Sequence, residues 1–159
     1  MIRISKIVQL DFKLLSELRE SSVAEGFKFV DRLMCEWESG ANRFERPGEA
    51  LFFCQVDGVV AGICGLNCDP YSADERIGRV RRLYVLPKCR KRGLGKALLQ
   101  AVIAEARGRF ELLHLRTEAA GAFFESNGFQ PTQLAKDATH VLDLRALDSR
   151  LQRCVIKGG

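Results

Sequence analysis

The first forty residues carry apolar spacings that predict one strand followed by two helices. Ile2 and Ile4 alternate with polar residues, as in a short strand. Asp11 is a candidate N-cap for the first helix, whose apolar positions are Leu14, Leu15 and Leu18. The second helix is ended by Ser39-Gly40, and its core-facing stripe is Phe27, Val30, Met34 and Trp37.

Two apolar runs, ALFFCQV and VVAGICGL, flank the dipeptide Asp57-Gly58. Asp-Gly between two apolar runs is typical of a two-residue hairpin turn. We therefore expect a β-hairpin here.

The second half of the chain alternates between strand and helix patterns. The segment GRVRRLYVLP predicts a strand from Arg79 to Leu86 that Pro87 ends. A period of 3.6 from Gly93 predicts a helix that closes at Gly108. The elements predicted after it are a strand ELLHLRT, a short helix from Ala119 to Asn127, and strands at 129–132 and 140–144. The resulting order, β-α-α-β-β-β-α-β-α-β-β, predicts a mixed sheet with helices on both faces.

The length of 159 residues fits one domain, which we expect to span residues 1–159. The longest apolar stretch, Val59 to Leu66, is far shorter than the roughly 20 residues of a membrane-spanning helix. The opening MIRISKIVQLDF mixes charged and apolar residues too early for a signal peptide. These features predict a cytoplasmic protein with no membrane partner.

Six cysteines are spaced irregularly and form no Cys-x-x-Cys pair. His114 and His140 lie far from any cysteine cluster along the chain. We therefore expect small buried thiols and no metal site. The cysteines are Cys35, Cys54, Cys64, Cys68, Cys89 and Cys154.

Positive charge is concentrated between Arg76 and Arg92, a segment that contains eight Lys or Arg residues and no Asp or Glu. The whole chain has a formal net charge of +5, so the remainder is net negative. Such a segment attracts phosphate groups of a cofactor or a nucleic-acid backbone. On charge alone, a solvated arginine-rich strand edge explains it equally well.

The segment from Leu83 to Leu99 predicts a strand, a basic loop and the start of a helix that has glycine at Gly93 and Gly95. Unpaired N–H groups at a helix start bind phosphate oxygens, and glycine lets those oxygens approach the backbone. The loop therefore predicts a pyrophosphate site. Its added positive charges are Arg90, Lys91, Arg92 and Lys96. Neither a Walker A loop nor a dinucleotide fingerprint fits the spacing.

The pattern Arg90-x-x-Gly93-x-Gly95 after a Leu-Tyr-Val-x-Pro strand resembles motif A of the GNAT superfamily of N-acetyltransferases. A later short helix that ends in Gly128-Phe129 resembles a second pattern of the family. The resemblance covers essentially the whole chain, including the element order. It implies an α/β fold with a mixed, mostly antiparallel sheet, helices on both faces, and two strands splayed at an acyl-coenzyme A site.

The function implied by this resemblance is acetyl transfer from acetyl-coenzyme A, as co-substrate, to a primary amine of a small molecule or peptide by direct attack. Backbone amides from Arg90 to Lys96 would hold the pyrophosphate, and the strand would pair with the pantetheine arm. The Val85 amide would donate to the developing oxyanion. The implied cofactor-binding residues are Leu83, Tyr84, Val85, Arg90, Lys91, Arg92, Gly93, Leu94, Gly95, Lys96, Ala119, Phe123 and Phe124.

The usual proton-transfer groups of the family are absent. Its short helix often carries an asparagine where this chain has Ala119 and a tyrosine acid where it has Phe124. A glutamate that helps deprotonate the amine is replaced by Arg79, which cannot act as a base. The candidate replacements are Asp74, Glu75, Glu118, Tyr71 and Tyr84.

Arg79 and Arg81 fall on one face of the predicted strand and Arg82 on the other. One hypothesis is that the acceptor amine carries an acidic group, as an amino acid or an acidic peptide terminus does, and that one of these arginines binds it, with Arg79 and Arg81 as the first candidates. Simple salt bridges to neighbouring strands explain these arginines equally well.

Two other functions stay open at this point. An acyl-coenzyme A-binding sensor with little or no turnover would explain Arg79 and Phe124 in the positions of the missing groups. Nucleic-acid binding is the weakest alternative, because Tyr84 is the one aromatic residue within the basic segment and no helix carries its arginines. The resemblance also suggests a homodimer through the last strands.

Overall fold

The computed structural model describes residues 1–146. Two short 3₁₀ turns, at Phe12–Leu15 and Pro87–Cys89, accompany the main elements. In chain order these are β1 (Ile2–Lys6), α1 (Ser16–Ala24), α2 (Phe29–Ser39), β2 (Ala50–Val56), β3 (Val59–Cys68), β4 (Ile77–Val85), α3 (Leu94–Ala106), β5 (Leu112–Leu115), α4 (Gly121–Ser126), β6 (Gln130–Pro131) and β7 (His140–Asp143). The predicted element order is confirmed. Cys154 lies outside the described residues.

The strands form one seven-stranded sheet in the order β1-β2-β3-β4-β5-β7-β6. Strands β4 and β5 pair in parallel, and the other neighbours pair antiparallel. The predicted hairpin is present, with Asp57 and Gly58 at φ of 50° and 83°. Positive φ at both central residues matches the right-handed twist of the two strands it joins.

Neighbouring residues of β4 show that helices cover both faces of the sheet, as predicted. The Tyr84 hydroxyl lies 2.9 Å from the Ser21 hydroxyl of α1, and its ring packs edge-on against Phe29 of α2. Val85, the next residue, points toward α3. A methyl group added at Gly95 of α3 would lie 3.9 Å from the Val85 side chain. Successive strand residues face opposite sides, so α1 and α2 cover one face and α3 the other.

Some predicted boundaries were wrong by a few residues. Helix α2 begins at Phe29, so Phe27, the first position of its predicted stripe, lies before the helix, and β4 begins at Ile77 rather than Arg79. Helix α4 begins at Gly121 rather than Ala119. Before it, the Ala120 N–H donates to the Thr117 hydroxyl, 3.0 Å away, and this local turn takes the place of the first predicted helical turn.

The parallel strands β4 and β5 separate after a short pairing. Residues Ile77–Arg79 of β4 pair with Leu112–His114 of β5, and the pairing ends there. Beyond that point β4 continues to Val85, whereas β5 ends at Leu115, which pairs with β7. The predicted splay is therefore present, and it opens a gap at one edge of β4.

A β-bulge in β4 lies beside this gap. Ile63 of β3 pairs with Tyr84 and Gly65 pairs with Arg81, so Arg82 and Leu83 together face one residue of β3. Arg82 has a φ of 61°, which the bulge requires and which a bulky residue seldom adopts. The alternation on which the arginine prediction relied is therefore interrupted at Arg82.

Candidate active site

A cleft of about 970 Å³ lies between the diverging strands β4 and β5 and the start of α3. Most of the residues predicted from the sequence line it. These are Tyr71, Arg79, Arg81, Leu83, Tyr84, Val85, Arg90, Lys91, Gly93, Leu94, Gly95, Lys96, Glu118, Ala119, Phe123 and Phe124. Arg92 and Glu75, in contrast, are exposed residues outside its lining.

The backbone of Val85 faces the cleft. The Leu86 N–H donates to the Ala61 carbonyl of β3 at 2.8 Å, and Val85 stands opposite Gly62. Antiparallel pairs alternate between hydrogen-bonded and non-hydrogen-bonded. The N–H and C=O of Val85 therefore turn away from β3, toward the side on which β4 and β5 separate.

The loop between β4 and α3 brings unpaired backbone donors to the same place. The first helical bond of α3 runs from the Ala97 N–H to the Gly93 carbonyl, 3.0 Å away. The N–H groups of Leu94, Gly95 and Lys96 therefore precede the helical ladder. Gly93 has a φ of 79°, a conformation for which glycine is favoured. This arrangement can bind phosphate oxygens.

A hydrogen-bonded group joins α1 to this loop. Arg90 contacts both oxygens of Glu25, with distances of 2.7 and 3.0 Å, and the Tyr84 hydroxyl donates to Glu25 Oε1 at 2.5 Å. The bonds from Arg90, and then from Tyr84, hold the pKa of Glu25 below its ordinary value. Burial, followed by the bond to Glu25, raises the pKa of Tyr84.

The pKa of Glu25 argues against a role as general base, because a carboxylate stabilised in its charged form holds protons less readily. Glu25 lines the cleft but was not predicted. Its partner Arg90 is 65 residues away in the sequence, and no local pattern indicates such a contact.

Arg79 is held in a buried ion pair. Its guanidinium lies 3.3 Å from Asp69 Oδ1 and 4.6 Å above the ring of Tyr71, and it donates to the carbonyl of Asp137. Asp69 Oδ2 lies 2.9 Å from Nδ1 of His114. Burial lowers the pKa of Arg79 despite the pair with Asp69. Arg79 thus makes the salt bridge that the sequence left open as its alternative role.

Arg82 and Arg81 have a different environment. The side chain of Arg82 is 7% exposed and lies 3.2 Å from Glu36 of α2. Its Nε is buried and has no hydrogen-bond partner. Burial, and then the neighbouring Arg81, lower the pKa of Arg82. Arg81 makes no side-chain hydrogen bond or ion pair with the part of the chain that the structure describes.

The predicted proton-transfer residues differ in where they lie. Glu118 lines the cleft with its side chain 87% exposed, 3.9 Å from Arg116. Tyr84 also lines it, but its hydroxyl is bonded on the α1 side of the sheet. Phe124 is buried and packs edge-on against Phe123 and Phe129. Asp74 pairs with Arg76, which holds its pKa low.

Comparison with known proteins identifies the family. The sequence model of the acetyltransferase (GNAT) domain matches residues 47–131, a segment that holds β4, the loop and α3. The chain belongs to the GNAT acetyltransferase family. The predicted fold and family are thereby confirmed.

The GNAT relatives include both sequences and solved structures. A crystal structure from Exiguobacterium sp. 255-15, assigned as an acetyltransferase, has a TM-score of 0.85 and 30% identity, covering 94% of this chain and 98% of that one. An aminoglycoside N(6')-acetyltransferase of Klebsiella aerogenes is 35% identical over 48% of this chain and 51% of its own. The chain spans about half the length of the curated relatives it matches.

One solved relative is described with ligands. The N-acetylglutamate synthase of Neisseria gonorrhoeae, complexed with coenzyme A and N-acetyl-glutamate, has a TM-score of 0.64 and 18% identity over 91% of this chain and 35% of that one. At this identity the likeness shows a shared fold. Within residues 1–146, no helix is long and apolar enough to cross a bilayer, and no cluster of side chains suited to a metal ion occurs.

Proposed function

We propose that this protein is an acyl-coenzyme A-dependent N-acetyltransferase that acts on a primary amine of a small molecule or peptide. The observation that carries the proposal is the meeting of two backbone surfaces in one cleft. The Val85 edge of β4 and the free N–H groups at the start of α3 both line it. The Val85 edge would support an oxyanion, and the N–H groups at the start of α3 would bind a pyrophosphate.

The residues present fit acetyl-coenzyme A. The N–H groups of Leu94, Gly95 and Lys96 would hold the pyrophosphate, and the Lys91 and Lys96 side chains add positive charge. The exposed edge of β4 would pair with the amide-containing pantetheine arm as an added strand does. When bound, the co-substrate supplies an activated acetyl group as a thioester.

The chain's contribution to transfer begins with Val85. Its N–H would donate to the thioester oxygen as negative charge develops there while the amine attacks. The C–N bond would form as the C–S bond breaks, and coenzyme A would leave as a thiolate that takes its proton from water. A preorganised donor of this kind contributes about 3 kcal/mol to the transition state. Direct attack by the amine needs no covalent intermediate on the protein.

The cleft lacks the tyrosine and glutamate that the resemblance implies for proton transfer, so other groups must take their place. Glu118 lines the cleft and is solvated, so we propose it as an acceptor for the proton of the amine. Tyr84 is proposed to position the Arg90–Glu25 group rather than to protonate the thiolate, because its hydroxyl is already bonded to Glu25. Glu75 lies outside the cleft. General acid–base help is worth about 100- to 10,000-fold, so we expect slower turnover than in relatives that retain it.

A sensor without turnover is the second candidate. Phe124, buried against Phe123 and Phe129, stands where the resemblance places a tyrosine acid. Such a protein would bind acetyl-coenzyme A by the same backbone groups and release no thiol.

Thiol release separates the two functions. Purified full-length protein is incubated with acetyl-coenzyme A and a panel of primary amines, and free thiol is followed by a colour reaction. Release that depends on an added amine supports the transferase. Binding of acetyl-coenzyme A without amine-dependent release across the panel would support the sensor instead.

A further inference from the structure

The strand that leads to Val85 carries positive charge that no carboxylate within residues 1–146 neutralises. On this strand the charge of Arg79 is matched by the buried carboxylate of Asp69. Arg81, two residues later, has no ion pair or side-chain hydrogen bond within residues 1–146. The salt-bridge explanation therefore accounts for Arg79 and leaves Arg81 unexplained.

Arg82 adds a buried donor without a partner. Glu36 accepts from its NH2 at 3.2 and 3.3 Å, but Nε is buried and makes no hydrogen bond. A buried donor left unpaired costs free energy, and native structures rarely keep one without a reason. Nε itself has no surface open to the cleft, whereas the Arg82 residue lines it, so what Arg82 offers a ligand there is its positive charge.

Helix α2 brings a third guanidinium to the same wall. Arg32 lines the cleft and, like Arg81, its side chain has no hydrogen bond or ion pair among the described residues. Arg32 lies one helical turn before Glu36, the partner of Arg82, and Arg81 is the neighbour of Arg82 on β4, so the three residues share one part of the cleft wall. Of these three guanidinium groups, that of Arg82 alone is paired with a carboxylate among residues 1–146, namely Glu36. We call Arg32, Arg81 and Arg82 the arginine cluster.

The carboxylates that line the cleft, Glu25 and Glu118, are bonded to other groups or lie away from the cluster. Glu25 is bonded to Arg90 and Tyr84. Glu118 is solvated beside Arg116, on the β5 side of the gap. Neither is within ion-pair distance of the cluster.

The cluster is also separate from the phosphate end of the cleft. Arg82 precedes Val85 by three residues, which span less than the about 10 Å of a regular strand because the bulge lies between them. The Arg90–Lys96 loop comes after Val85 in the chain, whereas Arg82 comes before it. An anion at the cluster would therefore lie on the far side of the reacting carbonyl from the pyrophosphate.

We propose that the arginine cluster binds a carboxylate of the acceptor, so that the substrate is an acidic amine such as an amino acid or the terminus of an acidic peptide. The inference rests on the proposed acetyl transfer. Guanidinium groups match carboxylates in geometry, and Arg32 and Arg81 line the cleft with guanidinium groups that have no partner among residues 1–146. The same cluster would repel polycationic acceptors.

Turnover with matched acceptors is the first test. Thiol release is measured for L-glutamate against L-glutamine, L-alanine against L-alaninamide, a tetrapeptide beginning Asp-Glu against one beginning Asn-Gln, and spermidine. We expect kcat/KM at least tenfold higher for the member of each pair with more carboxylates, and the lowest value for spermidine. Equal values within the pairs, or a preference for spermidine, would overturn the inference and leave acetyl transfer intact.

A charge variant locates the effect. Arg81→Gln should raise KM for the acidic acceptors about tenfold, with KM for acetyl-coenzyme A unchanged and little effect on the amides. The matched control is Arg107→Gln, an exposed arginine outside the cleft, which should change neither. An equal loss for acids and amides in Arg81→Gln would contradict carboxylate binding.

Binding without turnover separates this inference from the proposed function. Protein saturated with coenzyme A is titrated with N-acetyl-L-glutamate and N-acetyl-L-glutamine in a calorimeter. Tighter binding of the acid, lost in Arg81→Gln, supports the cluster even if no amine is acetylated, a result that would contradict only the transferase. If neither compound binds and acidic amines are not preferred in turnover, the inference is wrong.

Discussion

Arg90 donates through Nε to the carbonyl oxygen of Val85, 3.0 Å away. The same guanidinium pairs with both oxygens of Glu25 and lies over the ring of Tyr84, 5.4 Å from its centroid. One side chain therefore joins the end of α1, the strand edge and the phosphate loop. We expect changes at Glu25 to be transmitted to the backbone at Val85.

Replacing Glu25 tests this junction through its pH dependence. The pKa of Glu25 is depressed in the folded protein, so its contribution to stability is present above the ordinary glutamate pKa of about 4.3 and is lost as pH falls through the folded value. Glu25→Gln should therefore lower Tm at pH 7 and have progressively less effect below pH 4.

Thermal unfolding of both proteins from pH 7 to pH 3 checks this. Glu38→Gln, an exposed glutamate of α2, serves as the control and should leave Tm unchanged throughout. A Tm difference for Glu25→Gln that stays constant across this range would show that the carboxylate charge is not responsible.

Removing the Val85 N–H tests the oxyanion role. Val85→Pro deletes the donor, yet that N–H faces away from β3, so no sheet hydrogen bond is lost. We expect kcat to fall about 100- to 1,000-fold with a small change in Tm. In the control Leu86→Pro, the sheet bond to Ala61 is lost, and Tm should fall clearly. Full activity in Val85→Pro would rule out this donor.

Gly93 allows a comparison between backbone strain and cofactor binding. Gly93 and Gly58 both have positive φ, 79° and 83°, and a methyl group on either meets no atom within 4 Å. Alanine in the left-handed region costs about 1–2 kcal/mol, so both Gly93→Ala and Gly58→Ala should lose similar stability. Only Gly93→Ala should weaken coenzyme A binding, measured by calorimetry. Equal affinities in the two variants would place the cofactor elsewhere.

The buried Asp69–Arg79 pair is expected to support the fold where the strands separate. Asp69→Asn leaves Arg79 buried without a countercharge, and loss of one partner from a buried pair costs about 3–5 kcal/mol. Denaturant unfolding measures the loss. The exposed pair Asp74–Arg76 provides the control, since Asp74→Asn should be close to wild type. Equal losses of unfolding free energy in the two variants would show that burial does not determine how much the Asp69–Arg79 pair contributes to stability.

The parts of the fold predicted from sequence depend on local signals. Asp57-Gly58 fixes its turn by its own backbone preferences, and Gly93 with Gly95 marks the phosphate loop within a few residues. The apolar periods gave the order of strands and helices in the same way. Those signals require no knowledge of distant contacts.

The parts that were missed depend on distant contacts. The bulge at Arg82 is defined by pairing with β3, and it changes which way the arginines of β4 point. Glu25 meets Arg90, and Asp69 meets His114, across 65 and 45 residues. Such pairs leave no periodic pattern in either segment, so Glu25, Arg32 and Asp69 were not among the predicted site residues.

The central claim is that backbone amides at Val85 and at the start of α3 form one acyl-coenzyme A site. The most direct measurement is an amide nuclear magnetic resonance titration of isotopically labelled protein with acetyl-coenzyme A. We predict saturable shifts that are largest for Val85, Gly93, Gly95 and Lys96. Shifts confined to residues outside this cleft, or no shifts at millimolar acetyl-coenzyme A, would contradict the claim.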